Sequence, residues 1–133
     1  TAAPLRAQPA SGEDPSVFIG FSLGELVEIL GAPERVYAVR GNEVWQDDVV
    51  FVYGEREFYF YRDRVWQVGL RSAFGISAGE KREVVPLVMG DDTVAAEDHS
   101  LVRLRGRAWP MNVRFNHDER GMVTSIFIYR SDF

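Results

Sequence analysis

Apolar residues recur at helical spacing early in the chain. Leu23, Leu26, Val27 and Leu30 stand at i, i+3, i+4 and i+7, the stripe of an amphipathic helix. Ser22 just before them and Glu25 three residues later form a capping box, Gly31 supplies a stop, and Pro33 prevents continuation. From Arg35 onward the period falls to two. Strand-like runs cover 35–40, 49–53, 57–61 and 65–70, and a short run at 43–45 carries Trp45. The turn residues between them, Gly41-Asn42, Asp47-Asp48, Gly54-Glu55 and Asp63, leave connections too short for crossovers, which predicts an antiparallel meander.

The opening GFSLGELVEILGAP, residues 20–33, has a weaker copy in GISAGEKREVVPLVMGD, residues 75–91. Gly20 and Gly75 are 55 residues apart, and Phe60 with Asp63 keeps that spacing to Phe115 with Asp118. A second capping box is expected at Ser77 and Glu80. It should lead into a helix over Val84, Val85, Leu87 and Val88 that is kinked or shortened by Pro86 and stopped at Gly90. Strands are expected at 94–97, 100–105, 108–115 and 122–129, with a hairpin loop at 116–121. Pro110 should put its strand at an edge or in a bulge. The predicted fold class is α+β, two tandem repeats, each a helical segment packed on an antiparallel meander of about four strands. Residues 1–17 read as a flexible lead-in, 18–72 as the first repeat and 73–133 as the second.

These stretches carry a family resemblance. The helix opening GFSLGELVEILGAP, the Trp-containing VWQDDVVFVY and the hairpin EFYFYRDRVWQV together resemble the SmpA/OmlA (BamE-like) outer-membrane lipoprotein domain. Duplication of such a unit is similar to the fold of the β-lactamase inhibitory protein. The likeness is close over 18–71 and loose over 74–130, where Val88-Met89-Gly90-Asp91 replaces the Leu-Gly-x-Pro ending. It implies a BLIP-like, exported, periplasmic or outer-membrane-associated bacterial domain that binds other proteins, with a lipid anchor upstream of Thr1 and no catalytic residues to carry over.

Two pentapeptides, Gly20–Gly24 and Gly75–Gly79, match GxSxG, the nucleophile elbow of serine hydrolases. That elbow requires a strand-to-helix turn in a parallel sheet, so capping is the better reading of Ser22 and Ser77, and no enzyme activity is expected. His99 beside Glu97 and Asp98, and His117 beside Asp118 and Glu119, lie in predicted turns without the helical spacing that presents two metal ligands. No metal or other cofactor is expected. Arg103, Arg105 and Arg107 alternate and should share one strand face, a solvated one or a docking patch for an acidic partner.

The aromatic strands carry the main functional expectation. Tyr59 and Tyr61 face away from Phe58 and Phe60, and with Trp45, Tyr53 and Trp66 they form the candidate binding surface, joined by Arg103 and Arg105. Burial of both tyrosines between repeats is the alternative placement. Composition narrows the partners: net charge is −5, with 7 Arg against 11 Asp+Glu up to residue 71, which argues against nucleic acid. There is no cysteine and no apolar run long enough to span a membrane. The expected function is a noncatalytic protein-binding module of the bacterial cell envelope, an assembly factor, adaptor or inhibitor. The alternative is a small-ligand binder or enzyme with a site between the repeats that uses His99 or His117.

Overall fold

The computed structural model describes residues 14–40 and 48–132. A 3-10 turn, Pro15–Phe18, is followed by helix α1, Leu23–Leu30, and four strands: β1 Arg35–Val39, β2 Asp48–Tyr53, β3 Arg56–Tyr61 and β4 Arg64–Leu70. A two-residue hairpin, β5 Ser72–Ala73 and β6 Ile76–Ser77, leads to helix α2, Val84–Met89. Four more strands close the chain: β7 Val94–Ala95, β8 His99–Leu104, β9 Met111–His117 and β10 Val123–Arg130. The turn expected at Gly41-Asn42 and the run containing Trp45 lie outside the described residues.

Eight strands form one antiparallel sheet in the order β1-β2-β3-β4-β10-β9-β8-β7. Each half of the chain therefore contributes a helix and then a four-stranded meander, and the last strands of the two meanders pair at the centre. The core lies on one face. Phe58, Val65, Val68, Val113, Phe115, Ile126 and Ile128 from the central strands meet Leu26 of α1 and Val85 of α2, all of them fully buried. The coarse expectation of an α+β fold built on antiparallel strands is what the structure has.

Helix α1 forms as its sequence dictates. Ser22 Oγ accepts from the Glu25 amide at 3.1 Å and Glu25 returns to the Ser22 amide at 2.8 Å, the complete capping box. Asp63, at the β3–β4 turn, accepts from the Leu23 amide at 3.0 Å, which ties the helix start to the sheet.

The second capping box does not form. Ser77 belongs to β6, where its amide donates to Glu80 at 2.6 Å while its hydroxyl meets Ser72 at 3.1 Å, and α2 begins only at Val84. Residues 79–82 are diverted to the start of β10: the Gly79 amide donates to Val123, the Val123 amide to Glu80 and the Arg82 amide to Gly121. Pro86 thus falls in the first turn of a short helix, where its missing N–H leaves no gap, so it causes no kink. Pro110 is likewise displaced from its expected place within a strand. β9 starts one residue later and runs in the sheet interior between β8 and β10.

One consequence separates the two serines. Ser22→Ala should lower stability by about 1 kcal/mol, the usual value of an N-cap. Ser77→Ala loses one exposed hydroxyl contact and should change stability by no more than about 0.5 kcal/mol. Urea denaturation of both variants checks this, and equal losses would contradict the capping assignment.

Gly20 and Gly79, 59 residues apart, have φ values of 93° and 96°, and each precedes a helix. The helix-ending Gly31 and Gly90 show the same 59-residue spacing, as do the buried Leu26 and Val85. Strands β4 and β10 each carry a bulge, with Trp66 and Thr124 as the extra residues.

Candidate functional site

The face opposite the core is covered by neither α1 nor α2. Register places one continuous row across all eight strands on this face: Arg35, Val52, Glu57, Gly69, Phe127, Arg114, Leu101 and Val94. The neighbouring row runs Tyr37, Val50, Tyr59, Gln67, Tyr129, Asn112 and Arg103. Gly69 and Phe127 pair directly at the β4–β10 seam. A Cβ at Gly69 would come within 3.0 Å of the Phe127 ring, so the glycine makes room for that ring to lie across the seam.

Around this seam lies a shallow groove of about 450 Å³. Tyr59, Trp66 and Gln67 line it from the first half, and Arg114, Asn116, Phe127 and Tyr129 from the second. The rings are held edge to face, with Tyr59 6.4 Å from both Trp66 and Phe127. Trp66 reaches this side because of the bulge, and its indole donates to Asp48 at 3.2 Å. Glu57 accepts from the Tyr37 hydroxyl at 2.9 Å and the Tyr59 hydroxyl at 3.2 Å. Burial, and then the Glu57 carboxylate, push the Tyr59 phenol well above its usual value, so it stays a neutral donor throughout the physiological range. On the other wall the Arg114 Nε donates to Asn116 at 2.7 Å, and Asn116 donates to Ser125 at 3.0 Å.

The residues singled out in the sequence separate in space. Tyr59, Tyr61 and Trp66 share the open face, each half-buried. Trp45 lies outside the described residues. Tyr53 points the other way, into the core, and its hydroxyl donates to the Gly31 carbonyl at 2.8 Å. Arg103 stands on the open face in the Tyr59 row. Arg105 lies past the end of β8, its Nε on Asp92 at 2.8 Å, and Arg107 turns back to the N-terminal segment. The three arginines do not share one face, because the strand ends at Leu104.

Phe127, Tyr129 and Arg114 were missed, although alternation along β9 and β10 would have found them. Met111, Val113 and Phe115 are buried in the core while Arg114 and Asn116 alternate with them, and Ile126 and Ile128 flank Phe127 in the same manner.

The histidines lie apart from the groove's rings. His99 pairs with Asp98 at 2.7 Å. His117 is 5% exposed, at the end of the core row, with Ser100 Oγ 3.4 Å from Nε2 and, among the described residues, no hydrogen-bond partner for Nδ1. A serine beside a histidine suggests a nucleophile and base, but Ser100 is 2% exposed and among the described residues no carboxylate bonds the ring, so the serine is out of reach and the third member of a triad is not in place. Among the described residues no group of three or more His, Asp or Glu is placed to hold a metal ion. Burial, aided by Arg82, holds the His117 pKa below its ordinary 6.5, which favours the neutral ring in the folded state. A depressed histidine contributes stability that is complete above the unfolded value and lost as pH falls below it. The thermal midpoint should therefore drop between about pH 7.5 and 5.5, and His117→Gln should flatten that slope; an unchanged slope would contradict the assignment.

No family model matches the chain, and no curated protein does. Solved structures that share its fold include two that are matched over nearly all of this chain. One is an extracellular protein containing an SCP domain from Bacillus anthracis, with TM-score 0.58, 11% identity, and 99% of this chain matched to 50% of that one. The other is a cysteine-rich secretory protein from Staphylococcus aureus, with TM-score 0.58, 11% identity, and 94% of this chain matched to 49% of that one. The chain spans about half the length of each. No helix among the described residues is long and apolar enough to cross a membrane. The expected kinship with SmpA/OmlA lipoproteins and the β-lactamase inhibitory protein is thereby corrected: the fold is similar to that found in SCP-domain extracellular proteins of Bacillus and Staphylococcus.

Proposed function

We propose that this chain is a noncatalytic, exported protein-binding module, and that it meets its partner with the open face of the sheet at the β4–β10 seam. The observation that carries the reading is the groove itself. Four half-buried aromatic rings line it on a face that neither helix covers, and Tyr59, its hydroxyl held by Glu57, meets Trp66 and Phe127 edge to face. Rigid aromatic side chains offer large contact area at small entropy cost, which is why they dominate interface hot spots. The extracellular character of the two structural neighbours supports export. The shared 59-residue spacing and the two bulges support an origin by tandem duplication, the halves having diverged on the open face.

Hydroxyl-radical footprinting of the chain with and without its partner tests the reading. Tyr59, Trp66, Phe127 and Tyr129 should be protected, and the exposed Leu87 of α2 should not. Protection confined to the helix side would sink it.

A further inference from the structure

The two halves present different chemistry to the groove. On the open face β3 of the first half places Tyr59 in the groove wall, and β9 of the second half places Arg114. The first wall is aromatic, and its carboxylate, Glu57, is engaged by two tyrosine hydroxyls. The second wall is cationic and amide-rich. Arg114 is half-buried, its Nε is fixed by Asn116, and among the described residues its two terminal nitrogens make no hydrogen bond. The guanidinium is thus oriented with its outer edge unfilled, in a chain whose net charge is −5. Such an edge matches the two oxygens of a carboxylate, and a neighbouring apolar floor strengthens the pairing by excluding water. Arg103, exposed on β8 on the same face, adds positive potential along the approach.

We propose that the groove captures an acidic side chain of a partner protein together with an adjacent apolar one. The carboxylate sits on Arg114 and the apolar group on Phe127 and Tyr59. The inference rests on the protein-binding reading of this face and adds the partner's chemistry to it. Its occupant is a protein segment, because the groove is shallow and continuous with sheet surface toward β8 and β7, where Arg103 and Val94 are exposed and a longer chain could follow.

The test is selection from a random-peptide phage library on the full chain, followed by titration of the recovered peptides. The expected peptides carry Asp or Glu next to an apolar or aromatic residue. Exchanging the acid for its amide should weaken binding about tenfold or more, and so should Arg114→Met. The two changes should not add, since either one removes the same contact. Added salt should weaken the acidic peptide and spare its amide form. Near-UV circular dichroism verifies the fold of the variant, and Arg114→Gln serves if Met disturbs it.

Peptides that depend on Tyr59 and Phe127 but not on their own acid or on Arg114 would overturn the carboxylate inference and leave the binding face standing. Recovery of no peptide that depends on Tyr59 or Phe127 would overturn both. Concentration-dependent dimerisation abolished by Arg114→Met would assign the groove to a second copy of this chain and also overturn the inference.

Discussion

Arg107→Ala is expected to lower the unfolding free energy by about 3 kcal/mol, the scale of breaking a buried ion pair by removing one partner. The Arg107 and Asp14 side chains are 15% and 11% exposed and meet at 2.7 Å. Arg107 also donates through Nε to Ser16 Oγ at 2.9 Å, and Ser16 donates to Asp14 through both its hydroxyl and its amide, at 2.6 and 3.0 Å. Without the guanidinium, Asp14 is left, among the described residues, with Ser16 alone as a hydrogen-bond partner. The effect reaches the core because the clamped segment carries Phe18, whose ring meets Phe58 edge to face at 5.3 Å.

The same strap places the Trp109 indole over Gly20, where a Cβ would come within 2.8 Å of Nε1, and Arg130 stacks on that indole at 4.1 Å. The loop from β8 to β9 thus binds the start of the first half to the second. Asp14→Ala should cost a similar amount, and the double variant should cost clearly less than the two losses together. Guanidinium denaturation measures all three. Additive losses, or a single loss below about 1 kcal/mol, would contradict the clamp.

This clamp was not legible in the sequence. Residues 14–17, Asp-Pro-Ser-Val, read as lead-in, because nothing local announces that Asp14 has a partner 93 residues away. What was legible depends on nearby residues. The capping box at Ser22 and the alternation in β3 and β4 each declare themselves within a few positions. The second helix failed for the complementary reason: Ser77 and Glu80 satisfy the local pattern, but pairing of residues 79–82 with the start of β10 is worth more than one cap. The hairpin Ser72–Ala73 and Ile76–Ser77 was missed because its turn places Phe74, at φ 57°, in a conformation phenylalanine seldom adopts; burial at 5% exposure holds it there. Two of the four rings of the candidate site were readable, namely Tyr59 and Trp66. Tyr53 was assigned to the wrong face because β2 is buried over most of its length and shows no alternation. Phe127 belongs to the site through its pairing with Gly69, a contact across the seam that only the topology creates.

The second large effect is expected in binding. Tyr59→Ala with Phe127→Ala should weaken association by at least about 2 kcal/mol, roughly thirtyfold. Both rings belong to the open face, so the core between sheet and helices, with Phe58, Val68, Val113 and Ile126, is untouched. Folding should therefore persist, with a modest loss from the two edge-to-face contacts and the Glu57 hydrogen bond. Tyr53→Phe, which removes only the hydroxyl bonded to Gly31, should weaken the α1 connection without changing affinity. A variant with native circular dichroism and undiminished affinity would remove the aromatic rings from the interface.

A crystal structure of the chain with a selected or physiological partner tests the central claim most directly. The account predicts the partner lying across the β4–β10 seam, its apolar side chain on Phe127 and Tyr59 and its surface closing the groove. A partner seated on the helices, or on the β1 or β7 edge with the groove left open, would contradict it.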